Sequence, residues 1–333
     1  MKKTFLLALA ALLLIACGKS DRLLTSATGT IYECLVVADK PVYDIVKQTL
    51  AADMYGLPQP EAYLEPMQVS MAQFDNYLKP TRNILIIEID GHKYTQVSAK
   101  TTCNQWSKPQ AVYRITAPSE EALAEFWTAH GEAVREWFIR EELSRQIRFY
   151  RASTNKEARA KLNKQGYDLL IPEDYMFIMD TTLADTRVLW CCNNKGPMRR
   201  DVLVYSYPYT AQEQFSNDSI VTKRNVLLGR LVSAQVQGSH MGTEFKYFPP
   251  QSRQVPALQD TVGGFYAVET RGLWKILDGE AMGGPFVSLT RLDQVNGRVV
   301  TAETFLFASG QKKRNALRQA EAILYSLKMP QDK

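Results

Sequence analysis

The chain has 333 residues, of which 45% are hydrophobic and 23% charged, with a formal net charge of +5. This is ordinary globular composition, and it excludes a disordered chain, a collagen or a bare disulfide scaffold. No run beyond the first twenty residues approaches the roughly 20 apolar residues that a spanning helix requires.

The N-terminus reads as a processing signal. Lys2 and Lys3 form a positive head, and residues 5–15 are an apolar stretch of signal-peptide length, too short to span a bilayer. It ends in Leu14, Ile15, Ala16 and Cys17, the pattern of a bacterial lipobox. The small Ala16 admits a peptidase to the scissile bond, and the Cys17 thiol accepts a diacylglyceryl group. Residues 1–16 are therefore expected to leave as a lipoprotein signal peptide, with 17–29 forming a lipidated tether. Losing Lys2 and Lys3 lowers the net charge to +3, and a balance so near neutral predicts no nucleic-acid partner. Attachment to the membrane would be through acyl chains such as palmitate, and two or three hold far better than one. Gly18, in place of Asp, is similar to outer-membrane sorting signals, so the expected location is the cell envelope, at the outer membrane, on either face. The tether of 18–29 reaches at most about 40 Å when extended.

Further along, 31–38 reads as a strand, and Pro41 opens a helix to about residue 54. Residues 65–72 look extended, 83–89 form a buried strand ending in an Asp90-Gly91 turn, and 111–116 form another strand. Ser119 caps a long helix reaching about residue 150, with Glu120 and Glu121 in its first turn. Its apolar positions, from Leu123 through Trp127 and His130 to Phe138, recur at helical spacing and predict one buried face. A second helical stretch, 155–164, stops at Gly166. Strands are predicted over 175–180, 187–192 and 201–207, then a helix over 218–234 with Val226 among its apolar positions. Residues 235–262 read as loop. Strand residues fill 263–277 and 285–292, and Asn296-Gly297 predicts a type I′ hairpin, whose two central residues both need positive φ. A last helix spans 312–327. The fold class is α+β, with antiparallel or mixed sheets and packed helices. It divides into an N-terminal lobe, 30–165, and a C-terminal lobe, 166–328, which the repeated order of strands and helices suggests are similar.

Four cysteines remain after Cys17. Cys34 lies in a predicted strand, and Cys191 and Cys192 are neighbours on another, pointing to opposite faces. The readings are buried free thiols or one disulfide, Cys34 with Cys103 or with one of the vicinal pair. No pair has the C-x-x-C spacing of a zinc site, and neither a metal nor another cofactor is expected.

Two segments are candidates for function. The first is the run around Trp274, Met282, Gly283, Gly284, Pro285 and Phe286. Its glycines predict backbone angles closed to other residues, giving either a binding loop or a tight turn over a core. Asp278 and Glu280 within it are weak candidates for catalytic carboxylates. The second is 135–164, where nine Lys or Arg face four acids. Arg140, Arg145, Arg148 and Arg151 would meet an anionic lipid or glycan, or else form a solvated face with i,i+4 pairs such as Glu136–Arg140 and Glu141–Arg145.

Leu57-Pro58-Gln59, Arg82-Asn83-Ile84, Arg271-Gly272-Leu273-Trp274, Met282-Gly283-Gly284-Pro285-Phe286 and Lys312-Lys313-Arg314 together carry a resemblance. By them the chain resembles an uncharacterised family of Bacteroidetes envelope lipoproteins, classed as a domain of unknown function, number 4837 in that series. The resemblance implies an envelope lipoprotein whose two lobes form one family unit, and it lends no activity and no catalytic residue. The expected function is unknown in detail: a non-enzymatic, outer-membrane-anchored lipoprotein that binds an envelope protein or glycan, or organises the envelope. The alternatives are a hydrolase of envelope glycan or peptide using Asp278 and Glu280, and an anionic lipid or glycan binding module.

Overall fold

Runs of β-branched and aromatic residues build two large sheets among the described residues, and the helices between them pack against both. A computed structural model describes residues 24–232, 236–255 and 267–332. The expected signal peptide, 1–16, and Cys17 lie outside the described residues.

The first sheet is mostly parallel. Strands β2 (Glu33–Val37), β3 (Glu65–Val69), β4 (Asn83–Ile89), β5 (Ser98–Cys103) and β7 (Ala111–Ala117) lie in the order β3-β2-β4-β7-β5. Only β5 runs antiparallel to its neighbour. Two short strands, β1 (Thr25–Ser26) and β6 (Ser107–Lys108), pair beside it. Helix α1 (Lys40–Leu50) carries the chain from β2 to its parallel neighbour β3, burying Val42, Tyr43, Val46 and Leu50. Successive strand residues point to opposite faces, so Cys34, Val36, Leu85 and Ile87 join the main core. Leu35, Val37, Ile84 and Ile86 face the other way, under Phe74 and Trp106.

Helix α2 (Glu120–Ala152) has 33 residues, or about 50 Å of length. The Ser119 hydroxyl accepts the Ala122 N–H at 3.3 Å and caps it. Asn155 caps α3 (Lys156–Lys164) in the same way, accepting from Ala158 at 3.0 Å.

The second sheet is antiparallel. Strands β8 (Met176–Leu183), β9 (Thr186–Asn193), β10 (Arg199–Pro208), β11 (His240–Thr243), β13 (Ala267–Leu277), β14 (Gly283–Asp293) and β15 (Arg298–Phe307) follow the order β11-β13-β14-β15-β10-β9-β8. Strand β12 (Gln251–Val255) pairs with the other end of β13. Helix α4 (Asn217–Leu231) packs on one face through Leu227 and Leu228. Helix α5 (Arg314–Leu324) covers the other with Leu317, Ile323 and Leu324. One continuous core runs from β2 and β4 through α2 and α5 to Val202, Leu289 and Ala302 of the second sheet. Helices α1, α2 and α5 are thus a layer shared by both sheets.

The α+β class holds, with differences in detail. The two sheets are dissimilar, one largely parallel and one antiparallel, so the lobes are not copies of each other. Burial on α2 is not one stripe: His130 is exposed, its ring tilted against Phe126 at 4.7 Å, while Arg135, Glu142 and Arg145 are buried. A helix gripped by two layers buries more than one side. Val226 is exposed, β5 was not expected, and two strands interrupt the segment read as loop. The hairpin at Asn296-Gly297 pairs Asp293 with Arg298 across four residues, and only Gly297 has positive φ. It is therefore not a two-residue type I′ turn. Asp293 supplies the missing order, accepting from Asn296 and Arg298.

Candidate functional site

The Gly-Gly-Pro segment is a strand, not a loop. Gly283 and Gly284 begin β14 and pair with Lys275 and Trp274 of β13. Neither has positive φ. What requires glycine is space: a Cβ on Gly284 would stand 2.0 Å from the Leu306 carbonyl oxygen, and one on Gly283 would stand 2.6 Å from that of Trp274. The freed room holds the Trp274 indole, whose N–H donates to Leu306 O at 2.9 Å. The actual turn precedes the glycines, with Asp278 at φ +54° and the Met282 N–H bonded to Glu280 O at 2.7 Å. Phe286 is buried, and Met282 is 38% exposed.

Behind this turn, on the α4 face of the sheet, lies a cavity of about 570 Å³. Trp190, Trp274, Phe305 and Phe307 form its aromatic wall, with Met241 and Met282 beside them. The Trp274 ring lies 5.9 Å from Phe305 and 6.3 Å from Phe307, and Trp190 is 6.3 Å from Phe305. These are the tilted and edge-on contacts that ring quadrupoles favour.

Three charged residues enter this wall: Arg199, Asp201 and Glu280. Arg199 grips Asp201 with two hydrogen bonds, Nε to Oδ2 at 2.8 Å and Nη2 to Oδ1 at 2.9 Å. Trp190 donates to the same carboxylate at 2.8 Å. Burial pushes the Asp201 carboxyl above its ordinary value, although Arg199 and Trp190 pull the other way. One oxygen of Glu280 is buried with no hydrogen-bond partner.

Asp278 and Glu280 are not brought together. Asp278 sits exposed on the turn, whereas Glu280 lines the cavity. The basic segment 135–164 is likewise dispersed. Arg145 is buried and spent on Glu142 at 2.9 Å and Asn83 at 2.7 Å, so it pairs with Glu142 rather than Glu141. Glu136 reaches Arg253 at 3.8 Å. Arg159 holds Asp168, and Lys161 lies over the Phe177 ring. Arg148 and Arg151 are exposed and Arg140 half-buried, so no single face collects the four arginines.

Cys34, Cys103, Cys191 and Cys192 are all free thiols, which corrects the disulfide reading. Strands β4 and β7 separate β2 from β5; three strand spacings are about 14 Å, well beyond the 4.4–6.8 Å Cα separation that a disulfide needs. Burial pushes the Cys34 and Cys191 thiols up to about 12. Among the described residues, no group of His, Cys, Asp and Glu gathers in a metal-binding arrangement.

Sequence reasoning missed Trp190, Arg199, Asp201, Phe305 and Phe307, which come from three other strands. The one local signal is the i,i+2 spacing of Arg199 and Asp201, which puts both on one face of a strand.

Residues 153–326 match the family model described as "Domain of unknown function (DUF4837)", slightly more than half of the chain. Residues 27–151 match that described as "Domain of unknown function (DUF8532)". The motifs Arg271–Trp274, Met282–Phe286 and Lys312–Arg314 fall in the first segment, and Leu57–Gln59 and Arg82–Ile84 in the second. No curated protein matches the chain. Among solved structures, the cyanobacterial PsbP protein (CyanoP) of Synechocystis sp. PCC 6803 is 12% identical, with 50% of this chain and 88% of that one covered and a TM-score of 0.31. The human StarD13 (DLC2) lipid transfer and protein localization domain is 10% identical over 46% and 88%, with a TM-score of 0.19.

Proposed function

The chain belongs to the DUF4837 family, and from that premise we propose that it is a lipid-anchored envelope protein whose folded body binds a ligand rather than turning over a substrate. The lipobox ending in Cys17 supports the anchor. The single observation that carries the binding reading is the cavity behind the Gly-Gly strand. Its 570 Å³ lies within the roughly 300–1,000 Å³ of small-molecule sites, which are likewise mostly apolar with a few placed polar groups.

Chemistry argues against hydrolysis at this place. A glycan-cleaving pair needs two carboxyl groups flanking one bond, and Asp278 stands outside the cavity that Glu280 lines. The remaining carboxylate, Asp201, accepts three hydrogen bonds from Arg199 and Trp190. That arrangement anchors an arginine and an indole, and it occupies both Asp201 oxygens.

The test is mass spectrometry of the protein purified from membranes of cells that make it. The expected result is an acylated Cys17 at the amino terminus and a small molecule released on denaturation. An intact, unacylated amino terminus would remove the anchor. Turnover of ester, peptide or glycoside substrates that is abolished by Glu280→Gln would replace binding with catalysis.

A further inference from the structure

We propose that the cavity takes an organic cation, an apolar body bearing a protonated amine or other positively charged nitrogen, with the nitrogen directed to Glu280. This deepens the binding reading by naming the ligand class, and it rests on that reading.

The charges around the cavity do not balance. Arg199 and Asp201 cancel within their two-pronged pair. Glu280 makes no ion pair among the described residues, and its Oε2 is buried without a donor. A buried acceptor without a partner costs free energy, more so for a carboxylate. A positive nitrogen beside the Glu280 carboxylate would supply the missing charge.

The wall suits the same ligand. Trp190, Trp274, Phe305 and Phe307 present four rings to one space, and aromatic faces attract cations as well as apolar groups. Met241 and Met282 add flexible, polarizable surface that adapts to varied shapes. An anion would instead meet a carboxylate of like charge at Glu280. Arg199 cannot readily answer for it, because the guanidinium is already committed to Asp201.

The experiment uses the full chain in lipid nanodiscs, with empty nanodiscs as the blank, and reads binding by tryptophan fluorescence and calorimetry. Three probes share an aromatic body and differ in the head: phenethylamine, phenethyl alcohol and hydrocinnamate. The amine should bind about tenfold tighter than the alcohol, a difference of one hydrogen-bonded charge, and hydrocinnamate should bind weakest. In Glu280→Gln the amine should bind no tighter than the alcohol. This residue sits at the edge of the turn, and its backbone carbonyl keeps its bond to Met282, so the fold should survive. Equal binding of amine and alcohol, an amine preference that persists in Glu280→Gln, or tightest binding of hydrocinnamate would each overturn the cation assignment alone. Failure of all three probes to bind would overturn the binding reading with it.

Discussion

On the face of the second sheet that meets α2 and α5, every buried carboxylate has several donors. Glu269 accepts from Arg253 and Arg271 at 2.8 Å and from the Tyr325 hydroxyl at 2.5 Å. Arg271 reaches on to Glu321 at 2.6 Å, and Glu321 also holds Arg318 at 2.7 Å. On the opposite face, under α4, the fully buried Glu303 has one cation, Arg224 at 2.8 Å, and one of its oxygens has no partner. Arg224 lies 3.9 Å over the Phe286 ring and donates to Thr243. The same strands thus carry a cross-linked cluster of charges on one face and the sparsely partnered Glu303 on the other, where the cavity also opens. Burial alone would raise both acids. Arg271 and Arg253 overcome it and hold Glu269 well below the usual carboxylate range, whereas at Glu303 burial outweighs Arg224 and the carboxyl is raised. At these two acids, two arginines and a tyrosine outweigh burial where one arginine does not.

The sharpest way to break this contrast is Arg271→Ala. It leaves Glu269 and Glu321 buried with fewer donors, and losing one partner of a buried pair costs about 3–5 kcal/mol. Urea unfolding should show that loss, and a cost near zero would mean the face is not locked by its charges.

A second test sets the two acids against each other with pH. Stability from Glu269, whose pKa is depressed, is present above the unfolded value of about 4.3 and lost as pH falls below it. Glu303 behaves in the opposite sense: its contribution is full below about 4.3 and declines as pH rises toward its higher folded value. Relative to wild type, Glu269→Gln should therefore become worse from acid to neutral pH, and Glu303→Gln should become better. Parallel slopes in urea midpoints would refute the contrast.

Gly284→Ala probes the cavity face sterically. A methyl 2.0 Å from the Leu306 oxygen forces the backbone or the Trp274 indole to move, at about 1–3 kcal/mol. Thermal unfolding should record the loss, together with weaker ligand binding. The smallest effect belongs to Trp274→Phe, which deletes the bond to Leu306 O and should cost about 1 kcal/mol.

Much of the fold was legible locally. Ser119 and Asn155 announced the helix starts because capping satisfies N–H groups a few residues away. Strand β4 was readable from its apolar run, residue for residue. Strand β5 was not, since Ser98–Cys103 is mostly exposed and polar and is ordered by pairing with β7. The Gly-Gly-Pro segment drew notice for the wrong reason. Gly284 answers to a carbonyl on β15, more than twenty residues away, and Gly283 to that of Trp274 on β13, which no local angle preference reveals. The basic segment misled in a similar way, because charge counted along a helix says nothing of Glu142 and Asn83 waiting inside.

By itself, then, the sequence determined where most helices and strands begin, which residues are apolar enough to form a core, and the cysteine pattern that predicts an anchor. These depend on neighbours a turn or two apart. Register across β9, β10, β13 and β15 decided the rest: it placed Trp190, Asp201, Trp274 and Phe305 around one space, and it assigned two arginines to one glutamate and a single arginine to another. Those outcomes depend on distances between residues far apart along the chain, which only the packed sheet and its helices fix.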